Sequence, residues 1–210
     1  MASPDQSHQI TQPRLEFFYE FASTYSYLSA IRIADVARER GVEILWRPFL
    51  LGPIFAAQGW NTSPFNLYPA KGRYMVRDIE RIAKARGRTF TMPETFPANG
   101  LNAARIALCG EDEGWIGEFT RRVYEAQFEH RKDISSLDVL QSILHAIGLD
   151  AAQVVAQSRT PGIKERLRAQ SQHAIDLGLF GAPSFVTPDN EIFWGDDRLE
   201  QALSWTCALK

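Results

Sequence analysis

Apolar and polar positions change their spacing several times along the chain, and each change marks an element. Leu15 to Phe21 is dense in aromatic side chains, which suit a pleated, half-buried surface, and predicts a strand. Val42, Ile44 and Trp46 recur at every second position and predict another. Between them Tyr25 to Arg40 is long enough for one helix, with Gly41 placed to cap its C-terminus. Two strands joined by a helix make a βαβ unit, whose crossover rule sets the strands parallel.

Pro48 and Pro53 interrupt the pattern, and a long helical block follows. Met75, Ile79 and Ile82 fall at helical spacing within Arg73 to Arg86. Trp115, Phe119 and Val123 make a second stripe. Leu137, Leu140, Leu144 and Ile147 make a third after the N-cap candidates Ser135 and Ser136, and Ile163, Leu167 and Ala174 a fourth. Such stripes read as core rather than as a cofactor box. Strand character returns at Ser184 to Thr187, Pro188-Asp189-Asn190 supplies turn chemistry, and Ile192 to Trp194 gives the second arm of a hairpin. A helix over Asp197 to Thr206 closes the pattern.

The order β-α-β, helical block, β-β-α predicts an α/β fold: a thioredoxin-like mixed sheet (βαβ…ββα) carrying a large inserted all-helical domain. The expected division is a discontinuous thioredoxin-like domain over 14–52 and 178–210, a helical insertion over 53–177, and a flexible N-terminal tail over 1–13.

Composition narrows the function. With 45% hydrophobic and 23% charged residues in 210, the chain can bury a full core, and a net charge of −2 gives no electrostatic reason to expect nucleic acid. Met1 to Gln12 is polar, without the apolar segment of a signal peptide, and no later run reaches membrane-spanning length, so a cytoplasmic location is expected. Cys109 and Cys207 form no redox or zinc spacing, and His8, His130, His145 and His173 are scattered, so no metal is expected. Phosphate loops, dinucleotide fingerprints and Ser-His-Asp order are also missing from the sequence.

What the sequence does offer is a strand, a tight exit and a helix whose start is lined by Ser23, Thr24 and Ser26. That arrangement aims hydroxyls and backbone N–H groups at whatever lies beside Ser23 and suits an anion such as a thiolate. Ser23 has an equally ordinary use as the cap of the helix.

Five segments in order resemble one family: Phe18 to Leu28, Trp46 to Gly52, Pro69 to Tyr74, Phe180 to Pro183, and Phe193 to Leu199. The family is that of the kappa-class glutathione transferases and 2-hydroxychromene-2-carboxylate isomerases, relatives of the DsbA-type disulfide oxidoreductases. The resemblance spans about residues 14 to 206. Ser23 and Ser26 occupy the places of the two cysteines in the oxidoreductases, and replacing thiols by hydroxyls removes disulfide chemistry.

The resemblance implies glutathione as cofactor and a small-molecule substrate, with Ser23 Oγ donating to the cofactor's sulfur and stabilising the thiolate. It implies that Ala182, before a cis Pro183, offers backbone groups to the cysteinyl part, and that Asp196 or Asp197 holds the γ-glutamyl ammonium, Asp197 matching better. A charge pair at the start of the last helix would put acids at the same positions. Asn61, with Asn66 as competitor, is placed to contact the glutathione backbone. Lys71 is placed to pair with the glycine carboxylate or to remain solvated surface. Tyr25 completes the expected cofactor-binding set. A homodimer is also implied.

Two departures stand out. Thr24 replaces a proline common after the first active-site serine, which would set a second hydroxyl beside the sulfur. The stretch Gly52-Pro-Ile-Phe-Ala-Ala57 lacks a lysine that holds the substrate carboxylate in some isomerases. The expected activity is glutathione-dependent isomerisation of an aromatic-degradation intermediate. Kappa-like conjugation of electrophiles, or thiol binding without catalysis, are the alternatives.

Overall fold

A computed structural model describes residues 12–209, so the expected tail falls almost wholly outside the described residues. Pro13 does not belong to it, because its carbonyl accepts the Glu43 N–H at 2.8 Å and ties the chain to the sheet.

The elements follow as β1 (Arg14–Tyr19), α1 (Thr24–Ala30), α2 (Ile33–Glu39), β2 (Glu43–Pro48), α3 (Leu51–Ala57), α4 (Pro64–Leu67) and α5 (Pro69–Ala85). Next come α6 (Leu101–Cys109), α7 (Ile116–Phe128), α8 (Leu137–Ala146), α9 (Ala151–Ser158) and α10 (Pro161–Asp176). Strands β3 (Ser184–Val186) and β4 (Ile192–Trp194), a 3-10 turn over Asp196–Arg198 and α11 (Leu199–Ala208) complete the order. The sheet runs β2-β1-β3-β4, with β1 parallel to β2 and antiparallel to β3. The mixed sheet with mostly helical content is the thioredoxin fold with its helical insertion.

The predicted single helix from Tyr25 to Arg40 is instead two. Arg32 leaves helical geometry at φ −135° and ψ −20°, and its guanidinium reaches the Asp196 carbonyl at 2.9 Å and the Glu200 carboxylate. Those partners stand more than 160 positions away, so nothing local marks the break. Pro53 also sits inside α3, at its third position, where an early proline is tolerated.

The pleat of β1 sorts its aromatics onto two faces. Phe17 and Tyr19 face the larger core, stacking at 5.0 Å and meeting Trp46, Phe185 and the helical segment through Tyr124 of α7. Phe18 faces a smaller cluster with Phe49, Leu51, Ile54 and Val186. The predicted stripes are core in their central positions: Met75, Ile79, Phe119, Val123, Leu140, Leu144, Ile163 and Leu167 are buried. Ile82 differs, lining a large cavity at the end of β1.

Candidate active site

Where β1 ends, a tight turn reverses the chain, and the Ser23 N–H donates to the Glu20 carbonyl at 2.8 Å. The turn leaves Ser23 as the N-cap of α1 in extended geometry, its Oγ accepting the Ser26 N–H at 3.1 Å. The same Oγ donates to the Ala182 carbonyl at 2.9 Å, and the Ala182–Pro183 peptide is cis. Ser23 is therefore both a helix cap and a link between segments 159 positions apart. A hydroxyl has one proton, so turning it toward an incoming sulfur would free the Ala182 carbonyl for an incoming N–H. Helix α1 has only seven residues, which makes its dipole a smaller aid than the long helix predicted from sequence would provide. Ser26, at the place of the second cysteine of the oxidoreductases, is fully buried and its hydroxyl has no hydrogen-bond partner among the described residues.

All nine residues singled out in the sequence (Ser23, Thr24, Tyr25, Asn61, Lys71, Ala182, Pro183, Asp196 and Asp197) line one cavity of about 1140 Å³. Two of them point away from the expected roles. The Thr24 hydroxyl is buried and donates to Met75 Sδ at 3.0 Å, so it supplies no second hydroxyl beside a sulfur. The Asp196 carboxylate is only 4% exposed and is consumed inside the protein. It accepts from Arg86 at 2.6 Å and from Ser29 at 3.0 Å, and pairs with Arg32 at 3.3 Å. A carboxylate held by two guanidiniums has little left for a ligand's ammonium. Asp197 is its opposite: 73% of its side chain is exposed and its one ion pair among the described residues, with Arg198, spans 3.5 Å.

The other positions vary in freedom. Asn61 is exposed at the cavity, whereas the Asn66 amide donates to Thr62 Oγ1 and the Phe96 carbonyl and is not on the cavity wall. Lys71 is exposed, its ammonium 4.9 Å from the Tyr68 ring centre. The Tyr25 hydroxyl donates to Asp78 at 3.0 Å; burial first, then that carboxylate, pushes its pKa up.

One cavity residue escaped the sequence reading. Glu20 accepts the Ala22 N–H at 3.0 Å, and no cation among the described residues lies within ion-pair distance of it. Burial pushes its pKa up to about 8, against a smaller opposing effect of the Ala22 N–H. The available signal was a carboxylate set within an aromatic run, Phe17-Phe-Tyr-Glu-Phe21. Much of the remaining wall is apolar, with Leu50, Phe55 and Ala56 from α3 and its approach, Trp60, Phe65, and the loop Phe96 to Leu101, interrupted by Gln58, Thr62, Ser63 and Asn99. Phe180 and Trp194, both about half exposed, meet edge to face at 4.9 Å on the same cavity.

Cys109 is buried, which raises its thiol pKa to about 11, and Cys207 is half-buried; neither forms a disulfide. Among the described residues no group of His, Cys, Asp and Glu could hold a metal ion, and no helix is long and apolar enough to cross a membrane.

A family model described as a DSBA-like thioredoxin domain matches residues 14–204. A 2-hydroxychromene-2-carboxylate isomerase of Sphingobium xenophagum is 30% identical over 190 residues, covering 89% of this chain and 94% of the relative. Glutathione S-transferase kappa 1 of Caenorhabditis elegans is 25% identical, with 89% and 87% covered. A solved 2-hydroxychromene-2-carboxylate isomerase superposes with a TM-score of 0.83 at 22% identity, over 93% of this chain and 95% of that one.

Proposed function

The chain belongs to the DsbA-like thioredoxin-domain family, and from that premise we propose that it is a glutathione-dependent isomerase acting on an aromatic-degradation intermediate. The observation that carries this reading is the Ser23 hydroxyl, set at the end of β1 between the Ser26 N–H and the Ala182 carbonyl, where a redox relative would carry a thiol. The relatives named as 2-hydroxychromene-2-carboxylate isomerases support it.

The cavity suits a zwitterionic peptide of that kind. Asp197 offers an exposed carboxylate, Lys71 an exposed ammonium, Asn61 an amide and Ala182 a backbone carbonyl. At about 1140 Å³ the cavity exceeds the roughly 300–1,000 Å³ of common small-molecule sites, leaving room for a second, apolar ligand. Bound glutathione would supply a thiolate able to add reversibly to an electrophilic carbon, so that a double bond rotates before it re-forms. Ser23 holds that charge by donating its hydroxyl proton, a charge-assisted bond stronger than the one it gives Ala182. The aromatic walls exclude water and orient the substrate ring. The same reading includes a cytoplasmic homodimer, which sedimentation of the purified protein tests.

A second reading is favoured by one observation. The face of α3 on the cavity, Gly52, Pro53, Phe55 and Ala56, carries no cation for a substrate carboxylate, which suits conjugation of neutral electrophiles as in a kappa-class transferase. Calorimetric titration of glutathione into wild type and Ser23→Ala, with ultraviolet spectra at the thiolate band, tests the shared premise. Binding with a thiolate signal lost in the variant is expected, and no binding at millimolar glutathione overturns it. Product mass then separates the two: unchanged substrate mass means isomerisation, and a gain means transfer.

A further inference from the structure

We propose that Glu20 is the proton donor and acceptor for the second substrate, an unsaturated carbonyl compound whose oxygen gathers charge while its double bond is open. This rests on the function proposed above and assigns a role that the sulfur-binding residues leave unfilled.

Placement comes first. Glu20 and Ser23 are the two ends of one turn, and both line the cavity. The Glu20 backbone is fixed by two donors at 2.8 Å, the Ser23 N–H and the Tyr124 hydroxyl, so the side chain departs from a rigid base. Its Oε1 lies against Gly100, where an added Cβ would come within 3.2 Å of it and 2.8 Å of Phe21 Cβ. Glu20 thus belongs to the wall formed by the loop Phe96 to Leu101. None of Asn61, Lys71, Ala182 and Asp197, the groups suited to a zwitterionic peptide, comes from that wall.

Protonation follows from surroundings. The loop Phe96 to Leu101 has no ionisable residue. Tyr124, from α7, is buried, and its hydroxyl is spent on the Glu20 carbonyl. The other ionisable side chains on the cavity are engaged or exposed: Tyr25 with Asp78, Asp196 with Arg86 and Arg32, Lys71 over Tyr68, and Asp197 with Arg198. Among the described residues the one hydrogen-bond donor to the Glu20 carboxyl is the Ala22 N–H. A carboxyl so placed keeps its proton near neutrality, as its pKa of about 8 reflects.

The step balances without a further reagent. As a C–S bond forms from the cofactor's thiolate to the far carbon of the substrate's conjugated double bond, that bond's pair shifts to the adjacent carbon–carbon bond and the carbonyl pair to its oxygen; the Glu20 O–H bond breaks and an O–H bond forms on that oxygen. After rotation Glu20 retakes the proton, the pairs return, the C–S bond breaks to release the thiolate, and the double bond re-forms. Nothing is oxidised or reduced.

The test compares wild type, Glu20→Gln and Glu20→Asp with 2-hydroxychromene-2-carboxylate as probe. Glutathione titration and carboxyl-carbon NMR of isotopically labelled protein are run alongside turnover. Glu20→Gln is expected to bind glutathione within about two-fold of wild type while losing at least about 100-fold in turnover, together with the limb of the pH profile near 8. Glu20→Asp, which keeps a carboxyl, is expected to recover part of that loss. The NMR signal of Glu20 in wild type, which needs no variant to fold, should titrate far above 4.5. A Glu20 signal titrating near 4.5, or Glu20→Gln turning over within about three-fold of wild type with an unchanged profile, overturns the proposal alone. A wild type that binds no glutathione overturns the parent function, and this role with it.

Discussion

Two carboxyl groups line the same cavity and have been given opposite electrical surroundings. Asp196, in the turn after β4, meets two guanidiniums and a serine hydroxyl; Glu20, in the turn after β1, meets one backbone N–H. Taking an acid out of water disfavours its charge, and the partners around it decide the outcome. The cations and the Ser29 hydroxyl occupy the Asp196 carboxylate in a network that braces α1, α2 and α5 against the 3-10 turn. Their absence leaves Glu20 able to exchange a proton. The difference shows that proximity to a cavity does not make an acid functional; what already occupies its lone pairs does.

The sharpest way to break the comparison is Asp196→Ala, which leaves Arg86 without its carboxylate and Arg32 with Glu200 alone. A loss of about 3–5 kcal/mol is expected in denaturant unfolding, as when one member of a buried ion pair is removed. Glutathione affinity per folded molecule should be untouched, because Asp196 has no capacity left for a ligand.

Glu20 should give a pH signature in stability. Its folded pKa lies above the unfolded value, so the folded state holds the extra proton between about 4.5 and about 8. The associated stability is fully present below the unfolded pKa and is lost as pH rises toward 8. Glu20→Gln should flatten this decline, by roughly 1–2 kcal/mol over that interval once the water of the open cavity is allowed for, in urea melts across pH. A parallel decline in both proteins would place the proton elsewhere.

Ser23 joins the two regions, and Ser23→Ala removes both the helix cap and the bond to Ala182. A loss of about 1 kcal/mol is expected in the same melts, together with loss of the thiolate absorbance on glutathione addition. The smallest effect belongs to Asp78, whose donor is a phenol. Tyr25→Phe should cost about 0.5–1 kcal/mol, since Asp78 stays paired with Arg81 at 3.0 Å.

The sequence disclosed features set by local spacing and composition. The βαβ start, the amphipathic stripes and the hairpin all announce themselves within a few residues, and Gly41, at φ 65°, ends α2 as its position suggests. The nine candidate residues line one cavity because motifs far apart in the chain share one fold. Features decided by distant partners stayed hidden. The break at Arg32 serves Asp196 and Glu200, and the fate of Asp196 depends on Arg86, 110 positions away. Thr24 is drawn inward by Met75, 51 positions on, and Glu20 acquires its character from the loop at Gly100. In each case the residue type was visible and the partner was not.

Strand β1 lies between β2 and β3, yet β2 follows it closely whereas β3 begins at Ser184. During synthesis on the ribosome, β1 therefore gains one neighbour early and waits with its other edge unpaired while the helical segment is made. The Ser23–Ala182 bond cannot form in that interval, and neither can the wall beside it. A nascent chain therefore lacks this cavity until β3 has emerged, and its aromatic edge is a natural client for chaperones over the same period.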